Sequence, residues 1–247
     1  MMSQTLNQQI AQHAKLAEVA YTDFSGVTLK NTESLGSKEL EAYHKELIAP
    51  MIHNNNGKLP QTFATSIVEQ WDIIAHWQDR GNIINSESGF SATLFQDKTT
   101  KEYVLAFRGS NGLTDDGGND LIVTDLGDIV ANGFALSQSI DLINFRQQLL
   151  GNKGEAYQVL TLKKDEIYEI SHQLNSGTLR PQSPEEIEAV KEMAEKLRKA
   201  LDSGEYIKEG ADVYKMEWVD STEIFHDERA TGLGLSWDKI SITGHIV

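Results

Sequence analysis

The five residues Tyr103-Val104-Leu105-Ala106-Phe107 are apolar without a break, a pattern expected of a strand covered on both faces. Just before them Phe90, Ala92 and Leu94 alternate with Ser91, Thr93 and Phe95, and Gln96 to Lys101 supply a polar turn. Together these runs predict a β-hairpin whose second strand lies inside an α/β sheet. Such a strand needs helices over it, and the rest of the chain must supply them.

Helical periodicity is visible in several places. Leu6, Ile10, His13, Leu16 and Ala20 predict a first helix ending near Thr22-Asp23. Leu40, Tyr43, Leu47 and Met51 predict a second from Ser37 to Ile52, interrupted by Pro50, and His53 to Gly57 reads as a loop. A third amphipathic stretch from Ile67 to Trp77 would place Trp71, Ile74 and Trp77 on roughly one face. Ile122, Leu126, Ile129 and Val130 fit a helix, and so does the run from Phe134 to Leu150.

The region around 151–235 is more polar, cap-like or inserted in character, and carries one well-marked helix. Ser183 is its candidate N-cap, Pro184 its first residue and Glu186 the third, the arrangement of a capping box. Ile187, Val190, Met193, Ala194, Leu197 and Leu201 form its apolar stripe, and Gly204 is a natural stop. The stripe predicts docking on the sheet or on a cap over it; the alternative is a lipid- or partner-binding face. Lys239 to Thr243 is a last β-rich run, entering Gly244-His245 and then Ile246-Val247.

Composition narrows the function classes. With 22 basic residues against 37 acidic ones the net charge is -15, which repels nucleic-acid phosphates and anionic lipid headgroups. The absence of cysteine excludes disulfides, cysteine-ligated zinc and thiol catalysis. The first residues lack the basic and apolar parts of a standard signal peptide, and no apolar stretch approaches the roughly 20 residues that span a bilayer. A soluble chain of 247 residues fits one α/β domain, for which about 200 to 250 residues is common.

Two motifs carry the functional expectation: Ala106-Phe107-Arg108-Gly109-Ser110 and Ile240-Ser241-Ile242-Thr243-Gly244-His245. A buried strand running into Phe-Arg-Gly-Ser, followed later by a strand entering Thr-Gly-His, resembles the class 3 lipases, which include bacterial lipases and phospholipases A1. The likeness covers residues 89 to 132 and 237 to 245. It implies an α/β-hydrolase fold, here an incomplete one spanning 1–247, with a mostly parallel central sheet flanked by helices. It also implies a lipid or other ester as the parent family's substrate, with no cofactor, and it is the only pointer to secretion.

In that family the second strand enters Gly-His-Ser-x-Gly, a sharp turn that lifts the nucleophilic serine above the sheet. Gly244 and His245 match that elbow, but Ile246 stands at the serine position. Isoleucine has no nucleophilic atom, so no acyl-enzyme can form there. The family's acid and base would follow later and find no counterpart here. The expectation is therefore a lipase-like chain that is inactive as written, cut or frame-shifted at the elbow.

Ser110 matches the residue that helps form the family's oxyanion hole, where one donor is worth about 2.7 to 4 kcal/mol once a nucleophile has created the charge. Read without the resemblance, Arg108-Gly109-Ser110 is an ordinary strand-to-loop turn. His245 takes a structural role, since the elbow histidine is not the base. His76, His172 and His226 lack the paired spacing of a zinc site.

The segment Asp115 to Asp120 partly matches glycine-rich calcium repeats, but a single copy reads better as an acidic loop. Ser236-Trp237-Asp238-Lys239 fits Ser-x-x-Lys without its companion motifs. No serine has a recognisable base and acid beside it. The alternative from another class is a non-catalytic module that binds lipid, or a partner supplying the complementing C-terminal half of the sheet.

Overall fold

The computed structural model describes residues 6–53, 59–78, 90–107 and 136–244. Contacts divide the chain into two compact units, one made of Met1–Arg80, Gly89–Gly117 and Leu235–Val247, the other of Gly81–Ser88 and Gly118–Gly234. The expected helix over 122–130 and the acidic loop at 115–120 lie outside the described residues.

In the first unit, helices α1 (Leu6–Val19), α2 (Ser37–His53) and α3 (Gln61–Gln70) precede strands β1 (Trp71–Gln78), β2 (Ser91–Asp97) and β3 (Tyr103–Phe107), and β7 (Ile240–Gly244) completes the sheet. The order is β1-β2-β3-β7. β1 with β2 and β2 with β3 run antiparallel, while β3 with β7 runs parallel. The sheet is thus mixed where a mostly parallel one was expected. The short turn after β2 allows only a hairpin, because a parallel return needs a crossover of a dozen residues or more.

Val104, Leu105 and Ala106 of β3 are buried, as its unbroken apolar run predicts, and β2, whose residues alternate in sequence, is buried on both faces as well. Phe95, Val104 and Ala106 pack with Leu16 and Val19 of α1, Tyr43 and Leu47 of α2, and Ile67 of α3. α2 runs through Pro50 instead of stopping there. A proline in a helix removes one backbone donor and crowds the preceding turn; near the C-terminal end that loss falls on a single turn, and Pro50 is buried.

The expected helix over 67–77 is a helix ending at Gln70 followed directly by β1, with Trp71 already extended. A β-bulge explains the misleading spacing. Ile73 pairs with Phe95 and Ala75 with Leu94, which leaves Ile74 without a partner across the strand. The extra residue switches the strand's side chains from one face to the other, while Trp71, Ile74 and Trp77 lie three apart in sequence and imitate a helical face. Trp71 and Ile73 lie in the helix-covered core, whereas Ala75 and Trp77 follow the opposite face, that of Leu94 and Ala92.

Among the described residues the second unit opens with α4 (Leu136–Leu150) and holds a separate antiparallel sheet. Its strands are β4 (Gln158–Lys163), β5 (Tyr206–Glu209) and β6 (Asp212–Asp220), in the order β4-β6-β5. Helices α5 (Glu166–Asn175) and α6 (Pro184–Asp202) lie between β4 and β5 in sequence. Ile140 of α4 packs on Leu160, Leu162 and Met216. Ile167 and Ile170 of α5 and Leu197 and Ala200 of α6 pack on Val213. Sequence reading found α6 but not this sheet.

The capping box of α6 is present in full: Ser183 Oγ accepts from the Glu186 N–H, and the Glu186 carboxylate accepts from the Ser183 N–H. The N–H groups of Gln182 and Ser183, both donating to the Glu186 carboxylate, hold it below its ordinary value. Gly204, at φ +75°, follows the helix end as expected. Of the stripe, Met193, Leu197 and Leu201 pack on the core, while Ile187 at the first turns is 44% exposed.

Asn144 closes the outer edge of β4. Its amide nitrogen donates to the Leu160 carbonyl at 2.9 Å, and its amide oxygen accepts from the Leu160 N–H at 2.7 Å. A side chain thereby takes the place of a neighbouring strand.

Candidate functional site

Strand pairing brings the two motif strands together. Tyr103 pairs with Ile240, Leu105 with Ile242 and Phe107 with Gly244, in parallel. The strands of Phe-Arg-Gly-Ser and Thr-Gly-His therefore end side by side and at one level of the sheet. Backbone alternation places Ala106 and Thr243 on the face covered by α1, and Leu105, Phe107, Ile242 and Gly244 on the other.

Side chains and backbone hold this end in place. Thr243 Oγ1 donates to the His13 carbonyl of α1 at 3.3 Å. The Phe107 ring lies 6.0 Å from that of Phe90, tilted by 47°. A Cβ built on Gly244 would stand 3.2 Å from the Phe107 carbonyl oxygen and 3.3 Å from its Cβ. That is tighter than ordinary contact, and glycine removes the crowding. Of the candidate site residues only Gly244 is described; Ser110, His245 and Ile246 lie outside the described residues.

The other residues singled out by sequence do not converge on this end. His76 sits in β1 with Nδ1 2.9 Å from Thr93 Oγ1 and its ring edge-on to Phe24. His172 is on α5, stacked on Tyr168, with Nδ1 3.3 Å from Asp212 Oδ1. Among the described residues no group of three or more His, Asp or Glu side chains could hold a metal ion. Ser236 and Lys239 bracket a short 3-10 turn that leads into β7, which is not the helix start that a Ser-x-x-Lys nucleophile requires.

Ser221 is a fully buried serine that sequence reading passed over. Its Oγ accepts from the Tyr157 N–H at 3.1 Å and donates to the Ala230 carbonyl. The Tyr157 hydroxyl donates to the Arg229 carbonyl, and burial pushes the phenol well above its ordinary value. With its hydroxyl committed to backbone, Ser221 acts as a strut.

Nearby, a Cβ on Gly232 would fall 2.5 Å from the Gly151 carbonyl carbon, so two backbone segments cross where only glycine fits. Among the described residues no helix is long and apolar enough to cross a membrane. Comparison with protein-family models, with curated proteins and with solved structures gives no match for this chain.

Proposed function

We propose that this chain is a lipase-like α/β-hydrolase scaffold that does not itself turn over esters. The observation that carries the reading is the parallel register setting Phe107 beside Gly244. In a serine hydrolase of this kind the loop after one strand supplies an oxyanion donor and the turn after its neighbour lifts the nucleophile, so the two strands must end together. Ser110 then takes the donor position and Gly244-His245 the start of the elbow.

Ile246 stands where the hydroxyl would be, and a hole with no oxyanion to bind contributes nothing to rate. The test is labelling of the purified chain with a fluorophosphonate probe, alongside hydrolysis of a short-chain nitrophenyl ester. Neither labelling nor turnover is expected. Labelling at one serine with turnover would overturn the assignment of inactivity.

One observation favours a second reading, a non-catalytic module that binds a partner through its sheet. Among the described residues β7 pairs only with β3, and its Ile242 is 54% exposed. A strand edge with an apolar side chain beside it is a template for pairing with another chain. A hydrolase half carrying the remaining strands is the partner this reading requires. A one-to-one complex with such a half would support it, and a chain that binds none would remove it.

A further inference from the structure

We propose that Lys98, Asp72 and His44 form a pH-sensitive latch that fastens α2 to the β2–β3 hairpin and lets go when His44 takes up a proton. Lys98 lies in the hairpin turn, and its ammonium meets three elements of the helical layer and sheet. Nζ donates to the Val68 carbonyl of α3 at 2.6 Å, faces His44 Nε2 of α2 at 3.3 Å, and lies 3.5 Å from Asp72 Oδ1 of β1. Asp72 is 7% exposed, and its Oδ1 also accepts from Thr32 Oγ1 at 2.7 Å.

The chemistry of the contact settles the protonation state of His44. An ammonium has three donors and no acceptor, so it can bond Nε2 only while that nitrogen keeps its lone pair. The imidazole must then be neutral with its proton on Nδ1. Protonation turns Nε2 into a donor aimed at another donor and sets two cations 3.3 Å apart. Charged groups facing the ring are Lys98 from the turn, Asp72 from β1 and Glu69 from α3. Burial first, and Lys98 second, hold the imidazole below its ordinary 6.5, and the two carboxylates only partly offset them.

Since the folded state binds this proton less readily than the unfolded chain does, stability is full above about 6.5 and falls as pH drops through the folded-state value. Histidine is the side chain whose ordinary value lies in that window, so His44 is the group that changes. Release loosens the hold of the hairpin turn on α2 at His44, while Tyr43 and Leu47 keep that helix in the core.

The test compares wild type with His44→Gln, whose amide oxygen can still accept from Lys98 but does not titrate. Thermal unfolding is followed at about pH 7.5 and about pH 5.7, above the isoelectric point near 4.8. Wild type is expected to lose about 2–4 °C more than His44→Gln on acidification. An NMR titration of the histidine rings in wild type reads the same group directly, and decides the matter if the variant does not fold. Its expected midpoint lies below 6.5 and moves up in Lys98→Gln. A midpoint at or above 6.5, no movement in Lys98→Gln, or equal acid losses in wild type and His44→Gln would overturn the proposal.

Discussion

The two sheets end differently at their outer strands. At β4 the Asn144 amide pairs with both the N–H and the C=O of Leu160, so a helix side chain finishes the hydrogen-bond ladder. At β7 no described strand continues the ladder, and Ile242 stands 54% exposed. Interior strands differ as well. β2 is buried on both faces, whereas the central strand of the second sheet, β6, is mostly half-buried and exposes 48% of Trp218. A buried amide occupies the backbone groups that a further strand would need, whereas at β7 an exposed apolar residue lies on a strand with one described neighbour.

Breaking the closed edge should have the largest effect. Asn144→Leu keeps the volume but leaves a buried N–H and C=O without partners, at a cost of about 2–4 kcal/mol. Urea unfolding, with hydrogen exchange at the Leu160 amide, would read this loss; unchanged protection at Leu160 would show that the amide does not close the edge.

A smaller loss, about 1 kcal/mol, is expected for Ser183→Ala, which removes one half of the capping box. Amide exchange should quicken in the first turn of α6 while the core of the second sheet stays protected. If the whole second unit loosened equally, α6 would be more tightly coupled to the sheet than its exposed first turns suggest.

The smallest effect on stability is expected at the open edge, where Ile242→Thr should stay within about 0.5 kcal/mol. Its consequence should appear in sedimentation instead, as weaker self-association at high concentration. Equal self-association of wild type and variant would remove Ile242 from any account of that edge.

What sequence made legible follows the strength of the local signal. The hairpin is visible because an alternating run, a polar turn and an unbroken apolar run follow one another, and α6 because its cap is written in adjacent residues. β1 imitates a helix in sequence because the apolar Ile74 lies midway between Trp71 and Trp77, whereas the buried apolar positions of the strand are Trp71, Ile73, Ala75 and Trp77. The β4-β6-β5 sheet escaped notice because its strands mix Lys, Glu and Thr with their apolar residues, and its core is assembled from helices and strands far apart in sequence. At the candidate site, the motifs indicated which strands mattered, but only strand pairing brings Phe107 level with Gly244. The Lys98 cluster leaves no sequence mark, since Lys98, Asp72 and His44 belong to separate elements that meet only in the fold.

The parallel pairing of β3 with β7 also bears on the order in which the chain assembles. β2 and β3 are joined by a short turn and can pair early, at little cost in loop entropy, whereas β7 is separated from β3 by a stretch that includes Gly118–Gly234 of the second unit. Closing so long a loop is entropically expensive and slow. During synthesis, β3 must therefore wait with one side of its backbone unpaired until β7 has emerged, which makes that interval the one in which a holding chaperone would help this chain most.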